Sequence, residues 1–496
     1  MRRLRALAAA TLAGTALSAC SLAPAYAPPQ VSVPQTFRER GPWTQATPAD
    51  QIPRDAWWQA YGDPLLDRLE GQLQAASPTL AEALARYDTY RALAGLAASA
   101  QYPTLGAGAS VTRNRQSNNR PLRGSDQPDI YSADTVGLAA DYELDLWGRV
   151  RNSVAAGRAD AQASAADLEN VRLSLEAQLA DAYIRLRSND AEAALLADSV
   201  QAYETAYGIT EDRFKEGLVS DLDVSRAETL LQSTRAEASD LKAQRALYEH
   251  AIASLVGQPA SSFAIPPAVV SLALPNRPTG LPSTLLQRRP DVAAAERRAA
   301  AANARIGVAR AAYFPRLDLL GNGGWQNTAF ADLLAPGDTY WLLGPQMVGT
   351  IFDGGARKAR VEAARAQLAE ASAAYRAQVL RAFQDVEDNL ATLNDLAAEA
   401  GQQDAAIKAA ARTEAAALAR YQEGAASYLE VVTAQAAALQ ARRVGIEVED
   451  HRLQASVNLV RALGGGWTTA DLPSPSQVAR AAQTACPRRS ADALGC

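Results

Sequence analysis

The sequence predicts an internally duplicated, mixed α/β membrane protein in which each half supplies a β-hairpin and a long α-helical hairpin. Three observations carry this. The block Arg213–Val224 (RFKEGLVSDLDV) recurs 207 positions later as Arg420–Val431 (RYQEGAASYLEV), and Leu255-Val256-Gly257 matches Ala462-Leu463-Gly464 at the same offset. Upstream, Tyr102-Pro103 matches Phe314-Pro315 and Pro78 matches Pro290, both 212 apart, so only the stretch between these blocks changed length. Finally, each half passes from a period-two pattern to a helical one, the order strand hairpin then helix hairpin.

At the N-terminus, Arg2, Arg3 and Arg5 precede an apolar run from Ala6 to Leu17, too short for a spanning helix and suited to an export signal over residues 1–19. The run ends in Leu17-Ser18-Ala19-Cys20, the pattern of a bacterial lipobox, in which Cys20 is lipidated and becomes the mature terminus. The alternative is an ordinary secretory signal with Cys20 incidental. Ser21 follows where inner-membrane lipoproteins commonly carry Asp, which favours the outer membrane. The chain has 496 residues, 48% hydrophobic and 21% charged, with a formal charge of −5. Removing the three signal arginines makes it more acidic, which argues against a nucleic-acid partner. Cys486 and Cys496 lie in the tail, where oxidation to a small loop and two free thiols are both open.

Residues 20–53 are Pro-rich without hydrophobic period and are expected to be a tether from the lipid. A first repeat over 54–262 opens with Asp55–Leu69 and a helix from Pro78 that Tyr102-Pro103 stops. Strands are predicted over Thr104–Arg113 and Ser132–Leu144 around the polar loop Asn114–Tyr131 (hairpin 104–144), then a helical hairpin over 149–257. A linker over 263–282 leads to the second repeat, 283–466. Its strands are Arg316–Gln326 and Thr339–Phe352 (hairpin 316–352), its helical hairpin 355–464, and 467–496 is a tail. Strands of about ten residues suit a tilted bilayer crossing; soluble periplasmic hairpins are the alternative. Val379, Phe383, Val386, Leu390 and Leu393 form a heptad seam, matched by Leu179, Tyr183 and Leu186. No Pro interrupts 149–215, enough for a rod of about 100 Å. Gly217 and Gly424 mark the turns.

Four membrane strands cannot close a barrel, since single-chain barrels start at about eight, and an open edge in lipid leaves backbone groups unpaired. Two copies would give a barrel filled by its own side chains. Three would give twelve strands continued by a pseudo-sixfold helical tube with a passage.

The blocks WWQAYGDPLLDRL (Trp57–Leu69), YELDLWGRVR (Tyr142–Arg151), the run Leu281–Leu317, FDGGARKAR (Phe352–Arg360) and ALGGGW (Ala462–Trp467) together resemble one family. It is the TolC-like outer membrane factors in their lipoprotein branch, the NodT/OprM-like channels of resistance-nodulation-division efflux systems. The resemblance spans nearly the whole mature chain. It implies a homotrimer with a twelve-stranded β-barrel in outer-membrane lipid, a periplasmic α-helical barrel, a periplasmic membrane-fusion adaptor and an inner-membrane proton-driven pump, expelling drugs or small toxic compounds. The turns Gly217-Leu218-Val219-Ser220 and Gly424-Ala425-Ala426-Ser427 match the small-residue tips that meet the adaptor. Many relatives carry an Asp and Arg gate in an L-D-A-Q-R stretch, where this chain reads Val432-Thr433-Ala434-Gln435-Ala436. Asp221, Asp223, Arg226, Leu429, Glu430 and Thr433 remain as aperture candidates, the carboxylates forming a ring if they line the pore.

The residues point away from enzyme chemistry and from a metal or other cofactor beyond the lipid on Cys20. Only His250 and His451 are present, without metal-ligand spacing, and Gly464-Gly465-Gly466 lacks the Lys of a phosphate loop. A duct for protein secretion or metal export, and a lipid-anchored periplasmic coiled-coil protein, are the alternative functions.

Overall fold

A computed structural model describes residues 21–39, 56–117, 119, 128–275 and 287–478. Cys20, Cys486 and Cys496 lie outside the described residues, as does part of the loop between the first two strands. A 3-10 turn at Trp57–Tyr61 precedes α1 (Pro64–Ala76), whose N-terminus is capped by Asp63 accepting from the Leu65 amide at 2.7 Å. Then come α2 (Pro78–Ser99), β1 (Thr104–Arg115), β2 (Ile130–Glu143), α3 (Arg149–Lys215) and α4 (Asp221–Leu255). The second half repeats this as α5 (Pro290–Ala311), β3 (Arg316–Asn327), β4 (Thr339–Val348), α6 (Ala356–Gln422) and α7 (Tyr428–Ala462).

The duplication is retained to the residue. Helices α3 and α6 each have 67 residues and α4 and α7 each 35, with every boundary offset by 207. At about 1.5 Å per residue the long helices extend ~100 Å. Both begin the same way. Asp145 accepts from the Val150 and Arg151 amides at 3.0 and 2.8 Å, and Asp353 from the Gly355 and Arg357 amides at 3.1 and 3.0 Å. These carboxylates satisfy first-turn N–H groups that no carbonyl can reach. The return helices also end alike. A Cβ on Gly257 would sit 2.4 Å from the Ala76 carbonyl oxygen, and one on Gly464 2.0 Å from that of Arg288. The triple glycine is therefore a close-packed turn.

The heptad seams are buried. Leu179, Tyr183 and Leu186 pack with Trp57, Trp58, Tyr61 and the apolar face of α1, while Val379, Phe383, Val386, Leu390 and Leu393 pack with Val292, Leu459 and Phe37. Helix α5 lies between α3 and α6, whereas its counterpart α2 packs on α3. No helix among the described residues is long and apolar enough to cross a membrane.

Four details differ from the sequence reading. The strands of the first hairpin each run two residues further into the predicted loop, pairing Asn114 with Tyr131 and Arg115 with Ile130, and β2 ends at Glu143 rather than Leu144. Strand β4 ends at Val348 rather than Phe352, because its partner β3 starts at Arg316, just after Pro315, and offers no further residue to pair with. The start of the tether, 21–39, has no helix or strand, yet it is pinned to the second half. Tyr26 donates to Glu296 at 2.6 Å, the Arg38 and Glu39 amides donate to Glu387 at 2.8 and 3.0 Å, and Phe37 is buried. The described start of the linker is also held, with Ile265 and Leu272 buried and the Ala273 amide donating to the Tyr61 carbonyl at 3.1 Å.

Candidate functional site

The four strands form one antiparallel sheet in the order β1-β2-β3-β4, so the two hairpins pair through β2 and β3 while β1 and β4 keep free edges among the described residues. Alternation sorts the side chains onto two faces. One carries Leu105, Ala107, Ala109, Val111, Val136, Leu138, Leu319, Trp325, Trp341, Leu343 and Met347. The other carries Ser110, Thr112, Thr135, Asn322, Gln326, Tyr340 and Gln346, with Leu320, Leu342 and Val348 among them, and the first face turns polar at its loop end through Arg113, Arg115 and Asp134. The apolar face is bare: Trp341 is 81% exposed, Leu105 72% and Leu343 69%. So large an uncovered apolar surface requires an apolar surrounding. On the polar face Tyr340 lies over Gly137, where a Cβ would meet its hydroxyl at 2.8 Å, so glycine makes room for the ring.

At the far ends of the long helices stand the two repeated tips. In each a glycine adopts the left-handed conformation, Gly217 and Gly424 both at φ +73°, and the next amide reaches back into the helix. Leu218 donates to the Arg213 carbonyl at 2.9 Å and Ala425 to that of Arg420 at 2.8 Å. Nothing lies within 4 Å of a Cβ placed on either glycine, so backbone conformation rather than space calls for glycine here. Of the eight candidate adaptor residues, Gly217, Leu218, Ser220, Gly424, Ala425 and Ser427 are exposed, and the equivalent pair Val219 and Ala426 is half-buried.

The aperture candidates resolve into two local arrangements. Asp223 accepts from the Ser220 hydroxyl at 3.1 Å and pairs with Arg226 at 3.4 Å. Glu430 instead pairs with Arg420 at 3.2 Å, and Thr433 donates to the Leu429 carbonyl at 2.7 Å. Asp221 and Leu429 are exposed in the first turns of α4 and α7. No ion pair or hydrogen bond joins Asp223 to Glu430.

The contacts that hold the tips together were not singled out from sequence. Arg213 donates to the carbonyls of Tyr421 and Gln422, at 3.3 and 3.4 Å, with its guanidinium 4.5 Å from the Tyr421 ring centroid. Tyr421 meets Tyr428 edge-on at 5.3 Å, and both pack with Ala227 and Val431. Burial pushes the Tyr428 hydroxyl up to about 12, against a hydrogen bond with Thr210. Arg213 and Arg420 open the repeated block in both halves, which is the signal that could have drawn attention to them.

Farther up the helices is a buried ionic knot. Tyr183 donates to Asp63 at 2.5 Å, Arg187 to Tyr183 and Asp190 at 3.0 Å each, and Arg245 to Asp190 at 2.7 Å. Arg187 and Arg245 also donate to the carbonyls of Pro266 and Ile265, so the knot clamps the linker to α3 and α4. His250 and His451 are both exposed, and no cluster among the described residues has the composition of a metal site.

The chain matches the family model described as "Outer membrane efflux protein" over residues 69–258 and 281–465, one match in each half. It is 32% identical over 465 residues to outer membrane protein OprJ of Pseudomonas aeruginosa, covering 92% of this chain and 95% of that one. It is 32% identical over 455 residues to the toluene efflux pump outer membrane protein TtgC of Pseudomonas putida, covering 91% and 93%. A solved structure of the outer-membrane channel OprN superposes with a TM-score of 0.84 at 28% identity, covering 90% of this chain and all of that one.

Proposed function

The chain belongs to the family of outer membrane efflux proteins, and from that premise we propose that three copies form the passive exit duct of a tripartite pump expelling small toxic compounds. The observation that carries this is the two-faced sheet with its free edges. A wall apolar outside and polar inside, set on helices of ~100 Å, suits a water-filled barrel continued across the periplasm. Four strands per copy need partners to close, and three copies give a twelve-stranded ring wide enough to conduct, where two would be filled by side chains.

Energy would come from a proton-driven inner-membrane pump, with a periplasmic adaptor meeting the exposed tips around Gly217 and Gly424. The aperture falls at those tips: Asp221, Asp223, Leu429 and Glu430 line the constriction, and Arg213 lashes the two hairpins in its closed form. Cys20 carries the covalent lipid, an additional anchor beside the barrel. Cells lacking this chain should accumulate an efflux dye, and the wild-type chain should restore expulsion. Ser220→Trp with Ala426→Trp should leave the protein in the outer membrane and cut expulsion at least about tenfold, since a docking tip tolerates no bulk. Full expulsion by that double variant would reduce both turns to connectors.

A further inference from the structure

Resting on the trimeric reading, we infer that the chain closes onto the next copy of itself along one defined seam, β4 against that copy's β1, with Gln346 opposite Ser110. The duplication alone fixes this register. Within the first hairpin Thr104 lies opposite Asp141, and within the second Arg316 lies opposite Val348. Strand β1 therefore maps onto β3 at an offset of 212, and β2 onto β4 at 207, the same offset that relates the helices. The junction between the two halves is seen directly: Ala139 of β2 lies opposite Asn322 of β3. In a ring where every half meets the next in the same way, moving Ala139 forward by 207 and Asn322 back by 212 places Gln346 opposite Ser110 of the neighbouring copy.

The neighbouring pairs follow. Ala140 with Gly321 becomes Met347 with Ala109, Leu138 with Gly323 becomes Pro345 with Val111, and Asp134 with Asn327 becomes Trp341 with Arg115. All eight pairs, from 341 with 115 to 348 with 108, fall inside both observed strands. Side chains played no part in this register, and the four pairs at its middle agree with it, while towards the loops Leu342 meets Asn114 and Leu343 meets Arg113. Met347 with Ala109 and Pro345 with Val111 fall on the apolar face, Gln346 with Ser110 and Gly344 with Thr112 on the polar face. A slip by one residue would set Gln346 against Ala109 or Val111 and break both faces. Arg115 meets the exposed Trp341 ring, a pairing that favours cation–π contact.

The helical layer points to the same partner. Helix α5 is sandwiched between α3 and α6, whereas its counterpart α2, packed on α3, has no comparable second helix among the described residues and leaves Leu84, Leu93 and Leu96 exposed. The same symmetry places α6 of an adjoining copy there.

Cysteine pairs test the register in the full-length chain carrying Cys486→Ser and Cys496→Ser. Directly opposed residues lie within disulfide reach, while a shift of two separates the Cα atoms by roughly 7–8 Å. Gln346→Cys with Ser110→Cys should give covalent multimers on oxidation at least about fivefold more efficiently than Gln346→Cys with Gly108→Cys or with Thr112→Cys. Native mass spectrometry of the reduced samples reports assembly independently. Trimers with stronger crosslinking at a shifted pair, or with none at any pair, would overturn the seam and leave the trimer standing. Single chains that never crosslink would overturn both.

Discussion

The two helical tips share a backbone and differ in what their arginines hold. Gly217 and Gly424 adopt the same φ, and helices of the same length, 67 residues, precede them. Yet Arg213 reaches across to the end of α6 and stacks on Tyr421, whereas its counterpart Arg420 stays at home, on Glu430 and the Ala425 carbonyl at 3.2 Å each. Tyr421 in turn occupies the position of Phe214, which is half exposed. Duplication preserved what the helix ends require, namely satisfied carbonyls and a left-handed glycine. It left the partners of the exposed side chains free to diverge, and one tip became a lash while the other became a self-contained turn.

The largest expected difference separates Arg213→Ala from Arg420→Ala. Losing Arg213 removes the polar tie between the first hairpin and the end of α6 and leaves only the apolar contact of Tyr421 and Tyr428 with Ala227 at the tips, so cells should admit a large polar antibiotic several-fold more readily. Losing Arg420 breaks an exposed pair worth under about 1 kcal/mol, and uptake should change by less than about twofold. Equal uptake in both variants would remove the asymmetry.

A second contrast lies between Asp181 and its repeat partner Asp388. Burial pushes the Asp181 carboxyl up to about 6, opposed by Arg185 and Arg461, while Asp388 is exposed. A raised folded value means that this group supports the fold fully below its ordinary value of 3.8 and loses that support as pH rises through about 6. Asp181→Asn should therefore stabilise the protein by about 3 kcal/mol at pH 7.5 and by nothing at pH 3.5, with the exposed Asp388→Asn changing it by less than about 0.5 kcal/mol at either. Thermal unfolding at the two pH values checks this, and a stabilisation independent of pH would contradict it.

The smallest effect concerns the aperture carboxylates. Asp223 and Glu430 each already pair with an arginine, so Asp223→Ala with Glu430→Ala should lower cation selectivity only modestly. An abolished selectivity would mean that these carboxylates face the lumen unpaired.

Much of this fold was legible because its signals are local and repeated. The offsets of 207 and 212 located the helix ends, the period of two located the strands, and the seam from Val379 to Leu393 is buried as its spacing required. What sequence left hidden depends on contacts between distant segments. The partners of Arg213 lie more than two hundred residues away, the tether is pinned by Glu296 and Glu387 from another part of the chain, and Arg187 meets the linker only after folding. At the tips the candidate residues were found by position, but which arginine each carboxylate holds is set by how the hairpins pack.

The most direct test is current through planar lipid bilayers holding the purified full-length chain, wild type beside Arg213→Ala. A duct closed at lashed tips predicts discrete steps of uniform size in both, with the open state occupied several-fold more often in the variant. Membranes that remain insulating with either protein would contradict the duct, and indistinguishable records of wild type and variant would contradict the lash.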